Sequence, residues 1–190
     1  MEKVMARGPN FVFTKEFIIL EYGNETWEKL LGILSPDAAG IWSQPPLAYN
    51  SYPFTAFKEM ISALAKELKI VKDSETARLY EYIADRSLNR IYKMFFRLAN
   101  PSFVIKNYPK LWERFFDSGK VEVPLSEKGH AMVKFILPEI FLDWLPPACL
   151  GYSKKAVEIS GGENLTMSLK NRNHLTDELW EITYELRWDE

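Results

Sequence analysis

The chain has 190 residues, 47% hydrophobic and 26% charged, a globular composition that excludes intrinsic disorder and suits one domain with a sizeable core. Its 24 basic and 26 acidic residues leave a net charge of −2, so there is no general positive field to hold a nucleic acid. Six Trp, nine Tyr and twelve Phe are the one unusual feature of the composition, and such side chains fill a core, line a pocket or face a partner. One cysteine, Cys149, rules out an internal disulfide and a multi-cysteine zinc site and points to a reducing, cytoplasmic setting. The opening MEKVMARGPN lacks the apolar core of a signal peptide, and no run has the length of a membrane span.

In chain order, Pro9 and Asn10 precede a predicted helix over FVFTKEFIILEY that stops at Gly23. A second helix follows in TWEKLLGIL, after which Ser35 caps and Pro36 starts a short helix through AAGIW. SQPPLAYNSYP reads as a loop. From Pro53 onward Phe54, Phe57, Ile61, Leu64 and Leu68 recur at helical spacing. A longer helix begins near Asp73-Ser74, carries Tyr80, Ala84, Leu88, Ile91, Phe95 and Leu98 on one stripe, and stops at Asn100-Pro101. Arg86, Arg90, Lys93 and Arg97 lie roughly opposite that stripe. They form either a solvated face or a surface for phosphate or an acidic partner, and with Glu81 and Asp85 nearby the solvated face is the simpler reading.

Asn100 and Pro101 start another short helix, Pro109 forces a kink or restart, and a further helix runs to Gly119 as its C-cap. Val121, Val123 and Leu125 alternate as a strand with Pro124 at an edge or end, Ser126 to Gly129 turn, and Ala131, Val133, Phe135 and Leu137 alternate as the second strand of a hairpin. Pro138 opens a helical stretch, EIFLDWL, broken at Pro146-Pro147 and resumed through ACLGYSKKAVEI to Gly161-Gly162. Leu165, Met167 and Leu169 alternate in the next strand. The last is LWEITYELRW, where Trp180, Ile182, Tyr184, Leu186 and Trp188 form one face and Glu181, Thr183, Glu185 and Arg187 the other. This order predicts one α+β domain over residues 1–190, with a helical layer packed on one face of a four-stranded antiparallel sheet. The apolar face of the last strand is the expected floor of the helices. Its charged face is the expected wet side, without histidine, cysteine or a glycine loop for company.

No arrangement of residues calls for catalysis. His130, beside a hairpin turn, and His174, in the expected loop before the last strand, are the two histidines, and no strand-turn-helix nucleophile motif or Gly-rich phosphate loop is present. His174, Asp177 and Glu178 come nearest to a metal cluster but read as a polar hairpin turn. Glu139 and Asp143, four apart on a predicted helix beside Trp144, could share a face for acid and base work; an acid-enriched helix N-terminus is the simpler account. Cys149 packs as a small apolar residue, with Lys154-Lys155 the only local positive charge that could activate it. The pocket candidates are therefore the aromatics on or beside the helices: Trp42, Tyr49, Phe54, Phe57, Tyr92, Phe95, Phe96, Trp112, Phe116 and Trp144. They line either a core or a ligand pocket.

Three stretches, YPFTAFKEM at 52–60, NPSFVIKNYPKLWERFFDSGKVEV at 100–123 and YELRW at 184–188, resemble a family of stand-alone bacterial proteins of unknown function that is expanded into many paralogues in some genomes. That family is similar, more remotely, to the vinyl-reductase-type small-molecule-binding domains of bacterial regulators. It also resembles the small subunits of the eukaryotic vesicle-tethering transport particle (TRAPP) and the haem nitric-oxide sensor domains. The resemblance implies an α+β ligand-binding fold. Haem sensors use a helical histidine and a Tyr-x-Ser-x-Arg signature, and this chain has neither, so no haem or other cofactor is expected. Some relatives carry further cysteines where this chain has only Cys149, so metal and redox chemistry do not transfer. The expected function is a non-enzymatic small-molecule-binding or sensory domain that encloses an apolar or aromatic ligand between helices and sheet. The alternative is a protein-interaction or scaffold module that forms a homodimer.

Overall fold

Helix α1 (Gly8–Ile33) follows strand β1 (Met5–Arg7), and its apolar residues Phe11, Phe17, Ile18, Trp27 and Leu30 are buried. In this computed structural model, residues 4–70, 72–96 and 100–190 are described, residues 89–96 by their backbone only. At Gly23 the backbone takes φ 83° and ψ 168°, a left-handed conformation open to glycine, and the helix kinks there. The two helices expected on either side of Gly23 are thus present, meeting at a non-helical glycine within the span Gly8–Ile33. Ser35 Oγ accepts from the Ala38 amide at 3.4 Å and Pro36 occupies the first turn of α2 (Pro36–Trp42), as the sequence predicts. Strand β2 (Ser51–Pro53) pairs antiparallel with β1, and α3 (Phe54–Glu67) buries Phe54, Phe57, Met60, Ile61 and Leu64. Helix α4 spans Asp73–Phe96.

Asn100 Oδ1 accepts from the Phe103 amide at 2.9 Å at the start of α5 (Pro101–Lys106), and Pro109 sits in the first turn of α6 (Tyr108–Phe115). The chain therefore restarts at Pro109. Helix α6 ends short of Gly119, and the Trp112 indole N–H donates to the Ser118 carbonyl at 2.9 Å across the link to β3. Strands β3 (Lys120–Glu127), β4 (His130–Pro138), β5 (Glu163–Thr176) and β6 (Leu179–Asp189) form one antiparallel sheet in the order β3-β4-β6-β5. The first hairpin turns on Lys128-Gly129 alone, a tighter turn than expected. Pro124 lies in edge strand β3 at a register shift between Glu122 and Leu125, where a missing amide donor is tolerated.

The prolines at 146 and 147 do not break a helix; they begin one. After a 3-10 turn at Glu139–Phe141, α7 (Leu145–Ile159) carries both in its first turn, where the amides that proline lacks have no helical partner in any case. Glu139 and Asp143 are consequently not on one helix. Asp143 instead receives Lys58 Nζ at 2.6 Å, and the same ammonium donates to the Ile140 carbonyl at 2.8 Å.

Helix α7 crosses α4 where Gly151 meets the backbone of Ala77 so closely that a Cβ there would collide with the Ala77 carbonyl. Beneath the helices the sheet buries Val121, Ala131, Val133, Phe135, Leu137, Ile182, Tyr184, Leu186 and Trp188, in one cluster with the helical core. The expected α+β architecture, helices on one face of a four-stranded antiparallel sheet, is the architecture observed. Two details differ. His174 belongs to β5 rather than a loop, and its ring stacks on Trp180 at 4.7 Å while the Arg172 guanidinium lies 5.1 Å from the same indole. Half-buried Trp180 on β6 is therefore sheltered in part by its partners on β5, and Leu169 of β5 is 54% exposed.

On the outer face Glu122 pairs with Lys120 and Lys134, each at 2.6 Å, and Glu185 receives Lys170 and Arg187 at 2.8 Å and His130 Nε2 at 3.0 Å. The charged face thus does have a histidine in its company. His130 is tied to Glu127 as well, at 3.3 Å, and acts as one more member of an ion-pair ladder.

Candidate functional site

Three helices turn one face each toward a common space above β3 and β4. On α6, Tyr108, Leu111, Trp112 and Phe115 fall at positions i, i+3, i+4 and i+7, and on α7 Leu145, Ala148, Cys149 and Tyr152 repeat the same spacing. Helix α4 adds Tyr80 and Ile83, while Val121 and Phe135 form the floor. Asn10 closes the side nearest α1, its Nδ2 donating to the Phe115 carbonyl at 3.0 Å. These residues enclose a cavity of about 80 Å³, and of those lining it only Trp112 and Tyr152 are half-buried rather than buried.

The walls are aromatic. Trp112 lies 4.5 Å from Phe116 and 5.7 Å from Phe135, and Trp144 lies 5.1 Å from Phe116 and 5.6 Å from Tyr80. Some polar groups of the wall are satisfied. Tyr152 Oη is 3.4 Å from Ser87 Oγ, and Cys149 Sγ is 3.9 Å from Ser153 Oγ. Three are not: Tyr80 Oη, Tyr108 Oη and Trp144 Nε1 are buried without a hydrogen-bond partner among the described residues, in side chains 3%, 7% and 8% exposed. Burial pushes both phenols well above their usual range. The Trp144 indole beside Tyr80 and Ser153 beside Tyr108 offset only part of this, neither of them in hydrogen-bonding geometry. Burial also pushes the Cys149 thiol up to about 12, so it stays protonated. Lys154 and Lys155 pair instead with Glu81 at 3.0 Å and Glu158 at 2.9 Å.

Of the aromatics singled out from the sequence, Trp112, Phe116 and Trp144 come together on this cavity. Trp42, Phe54 and Phe57 are fully buried in the adjoining core, and Tyr49 is 84% exposed and does not line this cavity. The side chains of Tyr92, Phe95 and Phe96, like those of Arg90, Lys93 and Arg97, lie outside the described residues. The sequence reading missed Tyr108 and gave Tyr80 only as a stripe residue. A tyrosine on a buried helical stripe carries a hydroxyl inward, and that was the available signal.

A second, open groove of about 540 Å³ runs between α1 and α4 past Lys15, Glu16, Tyr82 and Arg86. There the Arg86 guanidinium lies 5.0 Å from the Tyr82 ring. Among the described residues no three His, Cys, Asp or Glu side chains gather as a metal site, and no helix is long and apolar enough to cross a membrane.

Neither a protein-family model nor a curated protein matches the chain. Solved structures do. An H-NOX protein from S. oneidensis in the Fe(II) ligation state shares 12% identity over 97% of this chain and 97% of its own, with a TM-score of 0.72. The Fe(II) unliganded H-NOX protein from K. algicida shares 12% identity over 97% of each chain, with a TM-score of 0.68. A structure that probes haem distortion in the H-NOX family shares 6% identity over 97% of this chain and 95% of its own, with a TM-score of 0.69. At such identities the likeness is one of fold, and it is the haem-sensor fold among those the sequence resembled.

Proposed function

We propose that this chain is a non-enzymatic small-molecule-binding domain of sensory type, which holds its ligand in the cavity between α4, α6, α7 and the sheet and does so without haem. The observation that carries this reading is the aromatic cavity itself, three of whose wall residues, Tyr80, Tyr108 and Trp144, each bury a polar atom without a partner among the described residues. Nearly all buried polar groups in folded proteins find partners, so these three support a reading in which a bound small molecule or an ordered water completes this place. A sensory, non-catalytic role is consistent with the haem-binding H-NOX domains that share the fold. A reduced Cys149 suits a cytoplasmic setting.

Haem itself does not fit the residues present. Neither histidine lines the cavity: His130 is held by glutamates on the outer face, and His174 is stacked on Trp180. The one thiol on the wall is held protonated. The cavity of about 80 Å³ is also well below the roughly 300 Å³ at which pockets for larger ligands begin.

Native mass spectrometry of the purified protein with organic extraction, and a thermal-shift screen of small apolar compounds, test the reading. A bound or stabilising small molecule is expected. A protein that carries nothing and responds to nothing, or one that shows a Soret band after incubation with haem, overturns it. The second reading, an interaction module that forms a homodimer, has the exposed Leu169 and Leu175 of β5 in its favour. A strict monomer in light scattering would dispose of it.

A further inference from the structure

We infer that the chain forms a homodimer in which β5 pairs antiparallel with β5 of a second copy, about a two-fold axis at Met167, so that the two sheets become one continuous sheet. This rests on the homodimer reading above, supplies its interface, and is independent of the cavity. The two edges of the sheet differ. On β3, Pro124 removes an amide donor beside a register shift, and α5 is tied to the strand by Ser102 Oγ, which donates to the Glu127 carbonyl at 2.8 Å, and by Ser126 Oγ, which donates to the Ser102 carbonyl at 2.7 Å. Proline, bulges and a covering element are the usual means of blunting an edge. Strand β5 runs for 14 residues without a proline, and among the described residues no strand pairs with the side of it away from β6. Its register shifts leave residues 166–169 as a regular stretch, and Met167 lies in it.

Apolar side chains on this stretch are incompletely covered. Met167 lies opposite Leu186 and Leu169 opposite Tyr184, both buried on the helix side of the sheet, yet Met167 is only half-buried and Leu169 is 54% exposed. Pairing about Met167 sets Leu169 of one copy against Leu165 of the other and the two Met167 side chains against each other, which covers all of them. Charge selects the direction. Glu163, in register with Asp189, makes one end of the edge acidic. Lys170, Arg172 and His174 make the other half basic, with no carboxylate in the strand from Asn164 to Thr176. A parallel pairing would set like charges together. The antiparallel one sets Glu163 opposite Asn171 of the second copy, between Lys170 and Arg172, and does so twice. An isologous two-fold needs a patch that complements itself, and this strand has that property.

The test uses the full chain. Light scattering is expected to give the mass of a dimer. Directly opposed residues of an antiparallel pair have Cα atoms about 4.5–5.5 Å apart, within disulfide range. Met167→Cys is therefore expected to cross-link the two copies under mild oxidation, while the parent, whose one cysteine is buried, and Asn173→Cys, at an exposed position of the same strand away from the axis, stay uncrosslinked. Glu163→Arg is expected to weaken the dimer about three- to thirty-fold, and Glu163→Arg combined with Arg172→Glu to recover most of that loss. A strict monomer, its edge left to a strand of another protein, overturns the proposal together with the homodimer reading and leaves the cavity reading standing. A dimer in which Asn173→Cys cross-links and Met167→Cys does not, or in which the charge swap rescues nothing, overturns this interface alone. Light scattering of the parent needs no variant to fold, and the exposed positions Glu163 and Arg172 keep the charge swap informative where Met167→Cys does not fold.

Discussion

Trp42 and Trp144 are both buried indoles ringed by aromatic neighbours, and they differ in one bond. Trp42 lies 4.5 Å from Phe11 and 5.9 Å from Trp27, and its Nε1 donates to the Ala56 carbonyl at 3.0 Å. Trp144 lies 5.4 Å from Phe54 and 5.9 Å from Phe141, and its Nε1 has no partner among the described residues. Apolar burial is alike in the two places. The polar accounting is not, because an unmet buried donor costs about 1–3 kcal/mol where a met one stabilises by about 1. Aromatic density is therefore common to both regions, and the unmet indole donor is what sets Trp144 apart from Trp42.

Truncation should separate the two regions most strongly. Trp42→Ala is expected to cost about 3–5 kcal/mol in urea denaturation, since it leaves a void in a closed core and strips the Ala56 carbonyl of its indole donor. A loss under about 2 kcal/mol would mean that this region is as loose as the cavity and would break the comparison. Next in size is Gly151→Ala, expected to cost about 1–3 kcal/mol by forcing α7 away from Ala77. Because Gly151 lies between cavity residues Cys149 and Tyr152, the same variant should also shift the Trp144 indole resonance. Trp42 should not move.

The architecture was legible where burial follows a fixed period. Ala131, Val133, Phe135 and Leu137 alternate and are all buried, and Ser35-Pro36 and Asn100-Pro101 announce helix starts by local capping that needs no tertiary information. Pro146-Pro147 was misread because proline serves equally to stop a helix and to start one, and only the path of the preceding turn decides. Bulges in β5 between Leu169 and Asn171 and between His174 and Thr176 shift the register, which a period-two reading cannot see; Arg172 and His174 thereby came to rest against Trp180. The cavity was the least legible feature. It is a relation among α4, α6 and α7, and nothing local to Trp42 or Trp144 says which indole finds a carbonyl.

Smaller effects should sharpen the contrast. Tyr80→Phe and Tyr108→Phe each remove a buried hydroxyl without a partner, so each should leave stability unchanged or raise it by up to about 1 kcal/mol in the ligand-free protein. Trp144→Phe should be tolerated within about 1 kcal/mol, whereas Trp42→Phe should cost more. A clear loss on Tyr80→Phe or Tyr108→Phe would show that its hydroxyl already has a partner, such as an ordered water.

The pH dependence of stability should divide the molecule in the same way. On the outer face Lys120 and Lys134 hold Glu122 at about 2, and Arg187 and Lys170 hold Glu185 at about 2, both below the usual carboxylate range. A carboxylate with a folded pKa below its unfolded value of about 4.3 stabilises the fold above that value and stops doing so as pH falls through the folded one. The urea midpoint should therefore decline slightly from about pH 5 toward pH 2, less so in 1 M salt, and less so in Glu185→Gln. The buried phenols act at the other end. Tyr80 and Tyr108, raised by burial, contribute fully below about pH 10 and lose that contribution as pH rises above it, because phenols ionise in the unfolded chain while the buried ones resist. Tyr80→Phe and Tyr108→Phe should flatten the alkaline limb and leave the acid limb alone, and Glu185→Gln should do the reverse. Variants that change both limbs together would mean that the paired outer face and the unpartnered cavity are coupled, and the contrast drawn from Trp42 and Trp144 would then have to include the sheet between them.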